Sequence, residues 1–490
     1  MGGACSRKRV QQTNEDIVHG GVSRRYSKSG SSKWLGTSFS RASVDNKEGT
    51  SIPPSLMELC IYKITQEIDQ YGTFSKLPRD ITQQIFNELV YSQRLNEASL
   101  EAFLDCALQD INLDISGSDV TDSGLLHIKD CNNVEALNLN FCEHISDIGL
   151  GYITGLSNLT NLSLKRNTSI TAKGMSVLSN LVNLSNLDLE RCSGIHGGLV
   201  HLRGLKKLEA LNMNCCNCIT DVDMKPLSDL TNLKELQISC SKVTDNGVTF
   251  LKGLHKLELL NMERCPITTA CLNSLSDLVA LLYLNVSRSN MTDEGCDKFS
   301  KLKSLKVLNL GFNDMSDAVL AHLKGLTNLE SLNLDSCRIG DKGLVYLAGL
   351  VRLKCLELSD TEVGNNGLRH LSGLVNLESL NLSFTGITDG DAGLATLTSL
   401  TELTHLDLFC AKITDTGTNH LRNFKKLRSL EICGGGLTDV GVKNIKDLKS
   451  LMLLNLSQNN HLSDKSLESI SELTSLVSLN VSSSRVTKPE

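Results

Sequence analysis

The chain is poor in aromatic residues and in proline, and it has no long apolar run. Aromatic residues make up 4% of its 490 residues, so aliphatic side chains must fill any core. No apolar stretch reaches the roughly 18 residues that a membrane-spanning helix needs, and residues 1–30 lack a secretory signal. We therefore expect the 17 cysteines to face a reducing compartment, where thiols stay free.

The sequence also lacks the signatures of enzymes and of cofactor sites. It has no Walker loop, no strand-linked GxGxxG, no HExxH and no nucleophile elbow. Cys215-x-x-Cys218, with Cys216 between them and Cys240 further on, is the one metal-like cluster, and no second pair completes a tetrahedral ligand set. Cys215 and Cys240 take equivalent outward positions on adjacent strands, so these two thiols could bind zinc or oxidise. The sequence predicts a non-enzymatic protein with no metal site and no cofactor.

Charge is distributed unevenly along the chain. The net charge is −6, but residues 1–50 carry nine Lys/Arg against four Asp/Glu, which leaves the remainder at about −11. An acidic body argues against a nucleic-acid partner, whereas the basic segment suits an anionic surface.

From Val134 to Val486 a unit of about 24 residues repeats, with the form Leu-x-x-Leu-x-Leu-x-x-(Cys/Asn/Ser/Thr)-x-(Ile/Val)-Thr-Asp-x-Gly-Leu. Such a period predicts an α/β fold, a leucine-rich-repeat solenoid with a curved parallel sheet and convex helices. The central leucine of each Leu-x-Leu strand serves below as its anchor. The anchors are Leu137, Leu162, Leu187, Leu211, Leu236, Leu260, Leu284, Leu308, Leu332, Leu356, Leu380, Leu406, Leu430, Leu454 and Leu479.

Three segments are predicted. Residues 1–54 form a disordered, basic, Ser-rich tail, because so few apolar side chains cannot offset the entropy of ordering. Residues 55–106 form a helical block, and residues 107–490 form the repeats. In the first helix of the block, apolar residues at helical spacing are expected to form one face. These are Leu56, Leu59, Cys60, Ile64 and Ile68.

The position three residues after each Leu-x-Leu often holds a small polar residue, such as Cys142, Cys192 or Cys216. We expect these side chains to bond backbone groups of the neighbouring repeat, which makes the cysteines structural. Units with this cysteine followed by Ile-Thr-Asp-x-Gly-Leu resemble the cysteine-containing repeats of F-box proteins. The chain as a whole looks like plant proteins of the F-box/leucine-rich-repeat type.

The helical block carries the second part of this resemblance. Leu77-Pro-x-Asp-Ile-x-x-x-Ile85-Phe-x-x-Leu89 is similar to the opening of an F-box, the module that docks on the adaptor of SCF-type ubiquitin ligases. The family pattern continues to Cys-x-x-Trp, whereas here no Trp follows Cys106. The resemblance implies adaptor contacts by Leu77, Pro78, Ile81, Ile85, Phe86 and Leu89.

The first residues read Met-Gly-Gly-Ala-Cys-Ser, followed by three basic residues. Gly2 fits the pattern for myristoylation and Cys5 is placed for palmitoylation. Two acyl chains with adjacent basic charge give stable membrane attachment. We expect a cytoplasmic protein, peripheral to the inner leaflet of the plasma membrane, the alternative being cytoplasm and nucleus.

Outward-facing residues of the repeats should form the binding surface. The residue after each anchor is mostly Asn, and these amides are expected to pair between strands. The next outward residues are charged or aromatic, of the kinds enriched at interface hot spots, although Arg–Glu pairing within the sheet would also explain them. We assign partner binding on the concave face to Phe141, Lys165, Arg166, Arg191, Glu263, Arg264, Arg288, Phe312, Phe384 and Phe409.

These observations favour a non-enzymatic protein that binds a target protein on its repeats. The F-box resemblance implies a substrate-recognition subunit of an SCF-type ligase, acting in ubiquitin-dependent protein catabolism. The alternative is a membrane-tethered scaffold with no ligase link, in which the helical block only caps the open end of the core.

Overall fold

Sixteen short parallel strands, one per repeat, form a single sheet. The computed structural model describes residues 54–104, 106–113, 120–389 and 393–487. The strands follow one another in chain order and are β1 Asp110–Asn112, β2 Ala136–Asn138, β3 Asn161–Ser163, β4 Asn186–Asp188, β5 Ala210–Asn212, β6 Glu235–Gln237, β7 Leu259–Asn261, β8 Tyr283–Asn285, β9 Val307–Asn309, β10 Ser331–Asn333, β11 Cys355–Glu357, β12 Ser379–Asn381, β13 His405–Asp407, β14 Ser429–Glu431, β15 Leu453–Asn455 and β16 Ser478–Asn480.

Helical turns connect the strands. The α-helices are α1 Leu56–Gln66, α2 Arg79–Tyr91, α3 Glu97–Glu101, α4 Asp122–Leu126, α5 Asp147–Tyr152, α6 Asp221–Met224, α7 Asp245–Val248, α8 Leu272–Leu275, α9 Asp317–Leu323, α10 Asn365–Leu368, α11 Asp415–Leu421, α12 Asp439–Ile445 and α13 Lys465–Ser471. The 3₁₀ helices are Ile68–Gln70, Ile153–Gly155, Gly174–Asn180, Gly198–Leu202, Lys225–Asp229, Thr249–Leu251, Thr269–Cys271, Cys296–Lys301, Gly343–Leu347, Arg369–Leu371 and Leu394–Leu397. None of the helices described is long and apolar enough to span a membrane.

The anchor leucines lie where the period predicts. Each is the central residue of its strand and is in register with the next, as in Leu137↔Leu162. Strand β1 extends this register one unit further, with Ile111 opposite Leu137. The anchors from Leu137 to Leu454 are 2% exposed or less, so each contributes roughly 2 kcal/mol of burial. The last anchor, Leu479, is 37% exposed, since its strand has no following strand beside it among the residues described.

The helical block packs into the same core as the repeats. Phe86 of α2 packs edge-on against Phe103, with ring centroids 5.3 Å apart. The Gln83 amide donates to the Asp110 carbonyl at 2.7 Å and accepts from the Gln109 N–H at 3.0 Å, so α2 covers the free edge of β1. The block therefore closes the N-terminal end of the sheet.

Two assignments in the block differ from the sequence analysis. In α1, Leu56, Leu59 and Cys60 are exposed, and the residues turned to the core are Ile61, Ile64 and Thr65. Of the predicted face, Ile64 and, in the following 3₁₀ helix, Ile68 pack on the core.

In α2 the residues assigned to adaptor binding fall into two groups. Ile85, Phe86 and Leu89 are fully buried in the protein's own core, where no partner can reach them. Leu77 and Pro78 are exposed and Ile81 is half-buried. Gly2 and Cys5 lie outside the residues described.

In nine of the described repeats an aspartate ties the helical turn to the next repeat. The Ser146 N–H donates to Asp122 Oδ1 at 2.7 Å, and the Ser146 hydroxyl donates to the other oxygen of that carboxylate at 2.6 Å. Ser146 in turn caps α5 by accepting from the Ile148 N–H. In eight further pairs the N–H and the hydroxyl of the Thr or Ser both donate to the aspartate carboxylate. They are Asp147–Thr171, Asp221–Thr244, Asp245–Thr268, Asp293–Ser316, Asp389–Thr414, Asp415–Thr438, Asp439–Ser463 and Asp464–Thr487.

The glycine of Thr-Asp-x-Gly leaves room for this aspartate. A Cβ added at Gly149 would overlap the Asp122 carboxylate and would lie 3.1 Å from the Asp122 Cα. Gly174, Gly247, Gly417 and Gly441 meet the aspartate of the preceding repeat in the same way. The motif therefore encodes both halves of a contact between neighbouring repeats.

We predict that Gly149→Ala lowers the free energy of unfolding by about 1–3 kcal/mol, because the carboxylate is pinned by its hydrogen bonds and cannot move aside freely. Gly151→Ala, in the same helix with nothing within 4 Å of the added Cβ, is the control. It should be neutral or stabilising by up to about 1 kcal/mol, since alanine favours helix. Urea unfolding measures both variants. Equal effects would show that the close approach at Gly149 carries no energetic weight.

Candidate protein-binding surface

Three rows of side chains run across the strands and can be numbered from the anchors. We call the residue one after each anchor the spine row, the residue three after it the outer row, and the residue four after it the turn row. A side chain in any row has its counterpart in the next repeat as its neighbour, because the strands are parallel and in register.

The spine row is used differently from the sequence expectation. The Asn212 side chain accepts a hydrogen bond from the N–H of Asn214, two residues on, at 3.0 Å. Asn138, Asn261, Asn309 and Asn381 do the same in their own repeats. Bonds between spine residues of neighbouring strands are the minority, as in Asn455 to Glu431. These amides mainly fix the backbone of the outer row.

The turn row lies in the left-handed backbone conformation. Fourteen non-glycine residues share φ values of 51–62°: Phe141, Arg166, Arg191, Cys215, Cys240, Arg264, Arg288, Phe312, Ser336, Asp360, Phe384, Cys410, Gln458 and Ser483. This conformation costs an L-residue about 1 kcal/mol or more. It persists because the N–H of thirteen of these residues, all but Ser483, donates to a carbonyl of the next repeat, as from Arg264 to Ser287 at 3.0 Å.

The structure divides the predicted surface residues between two rows. Phe141, Arg166, Arg191, Arg264, Arg288, Phe312 and Phe384 belong to the turn row, and Lys165, Glu263 and Phe409 to the outer row. The sequence analysis did not single out Cys240, Ser336 and Asp360 for this surface. Counting four residues from each anchor would have found them.

Aromatic and charged side chains contact one another along the rows. The Lys165 Nζ lies 3.0 Å from Glu190, and the Arg166 guanidinium lies 5.2 Å from the Phe141 ring centroid. The Nε of Arg166 is buried, and nothing in the described ranges accepts its hydrogen bond.

Arg288 is held from two sides. Its guanidinium lies 3.6 Å from the Phe312 ring centroid, and its Nε is 3.6 Å from a Glu263 oxygen. Further along, Phe384 and Phe409 pack with centroids 5.1 Å apart, and Phe384 remains 55% exposed. Arg264 is exposed and forms no ion pair with any residue that the structure describes.

The rows change sign along the sheet. From β3 to β8 the three rows hold five cations, Lys165 and four arginines, against three carboxylates, Asp188, Glu190 and Glu263. From β10 to β14 all three rows hold carboxylates and no Lys or Arg. The carboxylates are Asp335, Glu357, Asp360, Asp407 and Glu431. A partner crossing the sheet therefore meets a basic segment and then an acidic one.

Burial changes the ionisation of the acidic segment. Glu357 takes a spine position and is 9% exposed; burial raises the pKa of its carboxyl to about 7, although bonds from Asn381 and Cys355 oppose the shift. Burial also raises the pKa of Asp407 to about 6, and nearby Glu431 adds to it. In the residues described, no group of three His, Cys, Asp or Glu side chains is placed to hold a metal ion.

We predict that Glu357→Gln stabilises the protein above pH 7. A carboxyl whose pKa rises from 4.5 unfolded to about 7 folded favours folding fully below pH 4.5, and this contribution is lost as the pH rises through 7. At about 1.4 kcal/mol per unit, the gain at pH 8 should be 1–3 kcal/mol and should shrink towards pH 5. Glu468→Gln, at an exposed position, should show no such trend in urea unfolding. A pH-independent difference for Glu357→Gln would contradict the assignment.

Comparisons with known proteins match the repeats. One leucine-rich-repeat family model matches residues 130–153, 204–228, 229–252, 281–300, 301–318, 325–348, 374–393 and 399–417, and a second matches residues 425–486. The matched segments begin after the helical block.

Solved structures show the same architecture. A leucine-rich-repeat protein of Leptospira interrogans is 21% identical, with a TM-score of 0.51 over 76% of this chain and 86% of its own. TLR13, solved in a complex with ssRNA13, is 22% identical, with a TM-score of 0.51 over 82% of this chain and 62% of its own. An internalin of Listeria monocytogenes is 25% identical, with a TM-score of 0.48 over 68% of this chain and 83% of its own. With its matched repeats spaced along one parallel sheet, the chain belongs to the leucine-rich-repeat family.

Proposed function

We propose that the chain is a non-enzymatic binding protein that holds a partner protein across the outer and turn rows. The observation that carries this is the turn row itself. A position that favours glycine or asparagine is occupied by four arginines and three phenylalanines, residue types that the backbone bond to the next repeat does not require.

The partner's chemistry follows from the charge of the rows. Four arginines between β3 and β8 suit an acidic segment, because guanidinium groups bind carboxylates in paired hydrogen bonds. Phe141 and Phe312, at the two ends of this segment, are 37% and 39% exposed and offer apolar contacts. Arginine and aromatic side chains together are typical of interface hot spots.

We predict that Arg264→Glu with Arg288→Glu abolishes partner capture. Reversing two charges opposes an acidic segment, whereas stability should fall by only about 1 kcal/mol, since the lost contacts are a surface ion pair and a cation–π contact. The control is Arg203→Glu with Lys252→Glu, which makes the same charge change at exposed ion pairs with Asp229 and Asp277, outside the three rows. Quantitative affinity capture should recover the same partners with wild type and control, and lose them with the first variant. Loss of partner capture with both variants would show that the effect comes from the net charge of the protein and not from these two arginines.

The F-box resemblance supports a finer proposal, that the chain recognises substrates for an SCF-type ubiquitin ligase. Adaptor contact would then rest on Leu77, Pro78 and Ile81, which remain accessible. The second candidate is a scaffold tethered to the inner leaflet through acylated Gly2 and Cys5. The packing of Gln83 against β1, by which the helical block closes the sheet, favours this second candidate.

One experiment separates the two candidates. If the adaptor docks on the exposed start of α2, Leu77→Asp should abolish co-purification of the SCF adaptor. Tyr91→Asp places the same charge on a 77% exposed residue at the other end of α2 and should leave recovery unchanged. Circular dichroism confirms that both variants are folded. Wild type that recovers no adaptor would exclude the ligase subunit and leave the scaffold.

A further inference from the structure

Two cysteines occupy the centre of the turn row. Cys215 and Cys240 each lie four residues after an anchor, and β5 pairs with β6 in the register Leu211↔Leu236. The Cys215 N–H donates to the Ser239 carbonyl at 2.7 Å, which ties the two turns together. Parallel strands about 4.8 Å apart fall within the roughly 4.4–6.8 Å Cα separation of disulfides. Each of the two thiols shifts the pKa of the other, as expected of side chains at neighbouring places in one row.

The neighbouring cysteines lie in different surroundings. Cys192, Cys216 and Cys265 are buried, and their Sγ atoms donate to backbone carbonyls of the preceding repeat at 3.0–3.2 Å. Cys410 has the same turn-row position as Cys215, with φ of 59°, but its row neighbours are Phe384 and Gly434. Cys215 and Cys240 are the pair of adjacent thiols that the turn row provides in the described ranges.

The surroundings favour a thiolate in this pair. The hydrogen bond from Cys240 lowers the pKa of Cys215, and the charge of Arg191 adds to this, while burial and Glu190 oppose it. The same contact raises the pKa of Cys240. One proton therefore leaves the pair readily and the second is retained. A thiolate beside a thiol is the arrangement from which a disulfide forms.

We propose that Cys215 and Cys240 are a reversible oxidation site that hydrogen peroxide closes to a disulfide. The Cys215 thiolate attacks one peroxide oxygen, the O–O bond breaks, and hydroxide leaves, which yields a sulfenic acid. The Cys240 sulfur then displaces the sulfenic hydroxyl, and its proton leaves with that group as water. In total two thiols and one peroxide become one disulfide and two waters.

The geometry also indicates that this disulfide is easily reduced. Side chains that leave adjacent strands in parallel keep their Cβ atoms near the strand spacing, above the usual separation of about 3.8 Å. Closing the bond must draw the two turns together against their backbone hydrogen bonds. Strained disulfides are the more readily reduced ones, so dithiothreitol should reopen this bond readily.

The test treats the reduced full-length chain with hydrogen peroxide at neutral pH, followed by alkylation and peptide mass spectrometry. We expect a cross-linked pair of peptides containing Cys215 and Cys240, lighter by two hydrogen atoms and restored by dithiothreitol. The fraction of Cys215 that can still be alkylated should fall about tenfold faster than that of Cys410 in the same molecule, because a larger fraction of Cys215 is thiolate. Cys240→Ser should leave a sulfenic acid on Cys215 that dimedone traps.

Three results would overturn the proposal. These are equal consumption of Cys215 and Cys410, a disulfide between Cys215 and Cys218 in place of the predicted one, and direct passage of Cys215 to sulfinic acid in wild type. The comparison with Cys410 needs no variant, so a misfolded substitution cannot hide the answer. No partner is needed either, and the outcome is independent of the proposed binding function.

Discussion

The bond from a Thr or Ser cap to the aspartate of the preceding repeat, present in nine of the described repeats, is the contact on which the stacking of those repeats depends. A single turn of helix cannot satisfy its own first N–H groups. Here the Ser146 N–H and hydroxyl are satisfied by Asp122, 24 residues earlier, and the same bonds recur down the chain. Glycine at the position of Gly149 brings the neighbouring turn close enough for this bond. Cap, acid and glycine are thus one interaction shared by two repeats, which is why they occur together in the sequence.

The same dependence between repeats creates the binding surface. The outer-row backbone is fixed by spine amides, and the turn-row N–H by the carbonyl of the next repeat. The backbone that carries each turn-row side chain is therefore held in place. Arg288 is constrained further by Phe312 and Glu263. Because these groups are ordered before a partner arrives, binding loses less conformational entropy than it would on flexible loops.

The sequence predicted the repeats well because alternation and period are properties of one strand and one turn. Anchors such as Leu137 lie at the centres of their strands. The helical block was harder, since helical spacing describes two faces of α1. The prediction joined Leu56, Leu59 and Cys60 to Ile64 and Ile68. Packing in the core buries Ile61 and Ile68 and partly buries Ile64, and it leaves Leu56, Leu59 and Cys60 exposed. The spine row was assigned wrongly for a similar reason. Two amides on adjacent strands can pair, but each lies nearer to a backbone N–H of its own turn and accepts a hydrogen bond from that group instead.

In this fold, a shift of one position along the chain changes the chemistry of a cysteine. Cys215 and Cys216 are consecutive, yet the strand end turns their side chains in opposite directions. Cys216 points into the core, donates to the Leu189 carbonyl at 3.0 Å, and has its pKa raised by burial. Cys215 lies in the turn row beside Arg191 and Cys240, where the pKa of its thiol is lowered. Residue type alone makes the two equivalent. The distance from the anchor leucine distinguishes them, and so places a reactive thiol at the centre of the arginine segment and an inert one beneath it.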